Sequence, residues 1–166
     1  MFPWITALLA GSLLLGVEAV RAGGTVDVTF KDVSRYMDAG SAPHEREATL
    51  AQLAKHLKQL GERHLPDGHS LKIEVLEVDL AGTLRPSRRT GAEVRVVRGR
   101  ADWPKFELRY VLSARGSELR SGTDAIADLD YARRLRTPEV DAPLGYEMRL
   151  LEEWFVARIV EGRPLH

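Results

Sequence analysis

The densest run of chemistry-bearing side chains in this chain is basic. Arg85, Arg88, Arg89, Arg95, Arg98 and Arg100 fall within sixteen positions, opposed only by Glu93. A guanidinium is planar, permanently charged and forked, so a row of them recognises phosphate or carboxylate bidentately. The simpler role is a solvated strand face whose arginines pair with carboxylates on neighbouring strands, with Glu74, Glu107 and Asp79 as the expected partners; exposed pairs of that kind stabilise little. The run continues into Arg98-Gly-Arg-Ala-Asp-Trp-Pro104. Gly99 permits an unusual backbone angle, and Trp103 before Pro104 is held extended, so an aromatic is presented at a corner. Arg98, Arg100, Asp102 and Trp103 are therefore the candidate binding residues, as one wall of a ligand or peptide groove. The competing and simpler role makes Trp103 a plug at the edge of the core, with the aspartate and arginines tying the connection together.

Other reactive residue types point to no chemistry. The histidines are His44, His56, His64, His69 and His166, and none makes a chelating spacing. His56 and His64 lie about 12 Å apart along one helix, too far to share an ion. His64 and His69 bracket a turn with Asp67, a weak metal site that lacks a fourth ligand. Asp124, Asp128 and Asp130 miss the glycine and terminal glutamate of a calcium loop, and capping a following short helix explains them better. Ser113, Ser117 and Ser121 sit in or beside a hairpin without a nucleophile elbow. Glu152 and Glu153 are adjacent on a helix and face different sides. No catalytic residue, metal or cofactor is expected.

These residues must be positioned by elements that the hydrophobic pattern predicts. Val26, Val28 and Phe30 alternate as one face of a strand. Asp38 to Pro43 reads as a turn, with Ser41 as N-cap and Pro43 in the first helical turn. Leu50, Leu53, Leu57 and Leu60 form the stripe of an amphipathic helix from about Glu45 to His64, which Leu65-Pro-Asp-Gly68 stops. Over Ser70–Leu80 the apolar parity changes between Val75 and Leu76, which predicts a β-bulge. Gly82–Gly91 is expected to be a basic loop and Glu93–Arg98 a strand. Phe106, Leu108, Tyr110 and Leu112 alternate inward on the next strand, and Arg115-Gly-Ser-Glu118 turns it into a strand ending near Ala127. Leu129–Leu135 is expected as a short helix and Thr137–Pro143 as an irregular linker. Leu144, Met148, Leu151, Phe155 and Ile159, broadened by Tyr146, Leu150 and Trp154, mark a helix with a wide apolar face. The order β-α-β-β-β-β-α predicts an α+β fold: a mostly antiparallel sheet of about five strands with two main helices packed on one face.

Composition and the first residues bound the compartment. Phe2 to Val17 is apolar and about sixteen residues long, short of the ~20 that cross a bilayer. It ends in Val20-Arg21-Ala22, a small-residue pattern that signal peptidase accepts, so residues 1–22 read as a cleavable signal peptide. No Lys or Arg precedes the apolar run, which leaves an uncleaved anchor as the alternative. The remaining 23–166 fits one domain. The chain has no cysteine, which excludes disulfides, thiol chemistry and Cys-based metal sites. Lys and Arg total 24 and so do Asp and Glu, so the chain is no generic polyanion binder and any electrostatic partner must meet a local patch. Nucleic acid is not an expected partner, for no basic–aromatic stacking platform is present.

Four blocks carry a family likeness: Val26-Asp-Val-Thr-Phe30, Ile73-Glu-Val-Leu-Glu-Val-Asp-Leu-Ala-Gly82, Arg95-Val-Val-Arg-Gly-Arg-Ala-Asp-Trp-Pro104 and Tyr146-Glu-Met-Arg-Leu-Leu-Glu-Glu-Trp-Phe155. With them the chain resembles an uncharacterised group of exported proteobacterial proteins, domain-of-unknown-function family number three thousand and sixteen. The resemblance implies a single small periplasmic domain, brings no catalytic residue, and raises Arg98, Asp102, Trp103 and Trp154 as determinants of fold or site. The expectation is a soluble periplasmic protein with no membrane span after cleavage. It would act as a non-catalytic binding module of the cell envelope, its partner an envelope protein or an anionic envelope component. The alternative is a hydrolase of envelope polymers whose site only the fold assembles.

Overall fold

A computed structural model describes residues 23–91, 93–98, 101–133 and 142–164. The elements are β1 (Thr25–Phe30), α1 (Pro43–His64), β2 (His69–Asp79), β3 (Thr83–Pro86), β4 (Glu93–Val96), β5 (Lys105–Ala114), β6 (Ser117–Ala127) and α2 (Gly145–Trp154). After α2 the chain continues as a π-helical segment, Phe155–Val160. The predicted signal peptide lies outside the described residues, as do residue 100 and most of the predicted linker.

The α+β architecture is as the sequence predicts, with two corrections to the sheet. The main sheet has four strands rather than about five, ordered β1-β2-β5-β6, and β3 and β4 pair only with each other. The expected basic loop thus supplies a strand of its own, and Glu93–Val96 takes that short partner instead of joining the large sheet. Within the large sheet β1 lies parallel to β2, while β2–β5 and β5–β6 are antiparallel. Parallel neighbours need a long crossover, and α1 provides it.

One face of the sheet is apolar because each strand's inward parity aligns across the register. Val26, Leu71 and Leu112 meet in one row, Val28, Ile73 and Tyr110 in the next, and Phe30, Val75 and Leu108 in a third. The register slips between Val75 and Glu77, where the parity change predicts the bulge, and Val78 opposite Phe106 is again buried. The other face is polar: Glu74 bridges Lys31 at 3.3 Å and Arg109 at 3.0 Å. The β5–β6 turn has two residues, Arg115 (φ 50°) and Gly116 (φ 84°), and positive φ at both is the type I′ geometry that follows strand twist.

On the apolar face lie Leu50, Leu53, Leu57 and Leu60 of α1 and Leu150, Leu151, Trp154, Phe155 and Ile159 of the C-terminal helix. Burying each such side chain is worth about 1.5–3 kcal/mol. The N-cap of α1 is Ala42, one residue later than expected; Ser41 instead gives both its amide (3.2 Å) and its hydroxyl (2.5 Å) to the Glu45 carboxylate. That carboxylate is held below its ordinary pKa, first by the Ser41 hydroxyl and then by the Ala42 amide. His56 joins the helices, its Nε2 2.9 Å from the Met148 carbonyl. Leu129–Arg133 forms turns where a short helix was expected, with Tyr131 buried beneath them.

Helix α1 approaches β1 so closely that only glycine fits at position 61: a Cβ there would stand 2.2 Å from Val26 Cγ2. Gly61→Ala is expected to cost ~1–3 kcal/mol in overpacking, less the ~1 kcal/mol gained from alanine's helix propensity. Urea unfolding checks it, and a variant more stable than wild type contradicts the close approach.

Candidate functional site

The β3–β4 hairpin stands outside the large sheet, and its inner face is fixed to the body by one arginine. Opposite residues pair Thr83 with Val96, Leu84 with Arg95, Arg85 with Val94 and Pro86 with Glu93, so Leu84 and Arg95 share the face toward the body. Arg95 grips Asp38 with both terminal nitrogens, at 2.7 and 3.0 Å, and reaches the Ala81 carbonyl at 3.3 Å. Asp38 is held in turn: its amide donates to Val78 O and its carbonyl accepts from Leu80 N, each at 3.2 Å. Glu147 lies nearby, 3 % exposed, with Oε1 accepting the Ala81 amide at 2.7 Å. Burial raises its pKa above the ordinary carboxylate value, against the Ala81 amide and the Arg95 charge.

The connection from β4 to β5 is tied by Asp102. Its carboxylate accepts from the Tyr131 hydroxyl at 2.8 Å and the Arg98 amide at 2.9 Å, and its carbonyl accepts from Gly82 N at 2.8 Å. Among the described residues of this corner the left-handed one is Ala101 (φ 50°); Gly99, which permits an unusual backbone angle, lies outside them. Trp103 is half-buried with the Lys105 ammonium 5.6 Å from its ring centroid, while Pro104 is buried. The plug is therefore shared by Asp102 and Pro104, and Trp103 fills it only in part.

Of the four candidate binding residues, Arg98 and Asp102 meet through a backbone amide, Trp103 follows them in the chain, and Arg100 lies outside the described residues. Asp102 faces inward and is occupied. The expected partners of the arginines also differ: Glu74 takes Lys31 and Arg109, Asp79 takes Lys105 at 3.0 Å, and Arg95 takes Asp38. Arg85, Arg88, Arg89 and Arg98 are exposed, and no carboxylate among the described residues pairs with them. Arg88 and Arg89 sit in an ordered turn: Gly91 N donates to Ser87 O at 2.8 Å and Arg89 N to Ser87 Oγ at 3.3 Å.

A groove of about 440 Å³ runs beneath the hairpin, between Leu84 and Arg95, the start of α1 at Ser41 and Thr49, and Pro143–Leu144. The Ser41 hydroxyl is committed to the Glu45 carboxylate and the Arg95 guanidinium to Asp38, and the side chains of Thr49 and Gln52 also line the groove. Glu147 is not on its wall. The three aspartates also part company: Asp124 takes the Trp154 indole, Asp128 takes Arg149 at 3.1 Å, and Asp130 faces Arg133 on the surface. Among the described residues no cluster of His, Asp and Glu is placed to hold a metal ion, and no described helix is long and apolar enough to cross a membrane.

Comparison with known families is decisive for membership. Residues 24–157 match the family described as protein of unknown function DUF3016. The chain belongs to the DUF3016 family. The match spans the whole sheet, both helices and the hairpin of this DUF3016 chain. No curated protein matches it significantly. Among solved structures, a minor lipoprotein from Acinetobacter baumannii is similar over 82 % of this chain and 92 % of its own, at 12 % identity and a TM-score of 0.27. At that score the likeness carries no argument.

Sequence reasoning missed Glu147 and Asp38. The signal for Glu147 was present: it precedes Leu150, Leu151 and Trp154 by three, four and seven positions, so a carboxylate occupies the core-facing stripe of α2.

Proposed function

We propose that this protein is a non-catalytic binding module of the cell envelope, exported to the periplasm by its leader, whose contact surface is the β3–β4 hairpin and the turn that follows. The observation that carries it is the division among the arginines. Arg95 anchors the hairpin, whereas Arg85, Arg88, Arg89 and Arg98 are exposed with no carboxylate among the described residues paired to them. A chain of zero net charge that concentrates unneutralised guanidiniums on one arm presents a local anion-recognising patch. The commitment of the groove's charged groups to protein partners, Glu45 to Ser41 and Arg95 to Asp38, supports binding rather than turnover.

The test is crosslinking in whole cells with tagged protein, comparing wild type with Arg85→Gln/Arg88→Gln/Arg89→Gln. The triple variant is expected to lose the crosslinked species while its unfolding free energy stays within ~0.5 kcal/mol, as exposed substitutions do. Unchanged crosslinks in the triple variant would refute the hairpin as the contact surface. N-terminal sequencing of the same material checks export, with Gly23 as the expected first residue.

A further inference from the structure

We infer that the partner of this hairpin is an anionic lipid bilayer surface, an assignment that rests on the hairpin being the contact surface. The outer face of the hairpin is mixed rather than purely basic. Arg85 lies directly opposite Val94 in the ladder, so a guanidinium and an aliphatic side chain point outward together. Val94 is 44 % exposed, one of the large apolar side chains that the described fold leaves to solvent. The one carboxylate of the hairpin, Glu93, is exposed but stands opposite Pro86, on the other parity from Arg85 and Val94. Arg88 and Arg89 extend the same basic character to the tip, on a turn already ordered by Ser87.

The mixed outer face selects a bilayer among anionic partners. The hairpin pairs with no strand of the large sheet, and the groove lies under its inner face. Guanidiniums pair with lipid phosphates at headgroup depth, while the valine beside them reaches the acyl boundary; a soluble polyanion uses the first contact and gains nothing from the second. The contact of the hairpin would be peripheral and reversible, built from about fivefold in affinity per arginine near an anionic surface.

The experiment is vesicle co-sedimentation of the chain from Gly23 onward, which contains the entire described fold. Vesicles of phosphatidylethanolamine with phosphatidylglycerol are compared with vesicles of phosphatidylcholine alone, and inorganic polyphosphate serves as a soluble competitor. Wild type is expected on the anionic vesicles at low salt, released as the Debye length shrinks below ~10 Å above 0.1 M. Arg85→Gln/Arg88→Gln/Arg89→Gln is expected to weaken sedimentation by about a hundredfold. Val94→Ser is expected to weaken it several-fold while leaving polyphosphate binding unchanged, with circular dichroism confirming the fold of both variants. Equal loss of vesicle and polyphosphate binding in the arginine variant, with no effect of the valine variant, overturns the bilayer in favour of a soluble anion. Absence of vesicle binding while arginine-dependent crosslinks to an envelope protein persist also overturns it, and leaves the hairpin as the contact surface. Loss of both overturns the two readings together.

Discussion

Trp154→Ala is expected to cost about 3–5 kcal/mol and to lower the melting temperature by about 10–20 °C. The indole is 2 % exposed and stands edge-on to Tyr110, with ring centroids 5.9 Å apart, and to Phe155 at 6.3 Å. Truncation would open a cavity between α2 and the sheet. It would also remove the indole N–H, which donates to Asp124 at 3.0 Å. Asp124 shares the core-facing parity of β6 with Ile126, and its remaining contact is Arg158 Nε at 3.2 Å. Trp154→Phe separates the two effects: it keeps most of the volume and loses only the donor, at about 1–3 kcal/mol. Thermal and urea unfolding of both variants measure this, and a cost for the alanine variant no larger than that of an exposed site would contradict the packing described.

Glu147 is the second position where a large effect is expected, and its two substitutions differ in sign. Glu147→Ala leaves the buried Ala81 amide without an acceptor and opens space beneath the hairpin, a loss of about 2–4 kcal/mol. Glu147→Gln retains an acceptor and cannot ionise. Burial raises the pKa of Glu147 in the folded chain. A proton held more tightly when folded favours folding fully below the unfolded pKa, and that contribution is lost as pH rises through the folded value. Relative to wild type, the glutamine variant should therefore gain stability as pH climbs through that interval. Unfolding free energies measured across a pH series would show converging, then crossing curves; parallel curves would mean that the carboxylate is not desolvated.

How much of this was legible in the sequence follows from the range of each interaction. The leucine stripe of α1 and the alternation of β5 are local patterns, and both hold. So does the parity change in β2, because a bulge is written into the spacing of its own strand. The partnership of β1 with β2 is not local: it depends on a crossover of known direction, which no single strand encodes. The β3–β4 pairing escaped because Thr83–Pro86 is four residues long and ends in a proline, a poor strand by composition. Arg95 belonged visibly to a basic run, but its partner Asp38 lies 57 positions earlier, and only the closed fold brings them together. Asp102 was singled out correctly as a tie, whereas Trp103 beside it is less enclosed than its size suggested.

None of the described residues from Thr83 to Arg98 belongs to the apolar cluster that holds the helices on the sheet. Selection for a stable body therefore places little restraint on the outward half of that arm. Relatives can diverge at its tip, lengthen it or change its charge while the same two-layer frame persists, provided that the fork from Arg95 to Asp38 survives. The arm and the frame are thus free to change independently of one another.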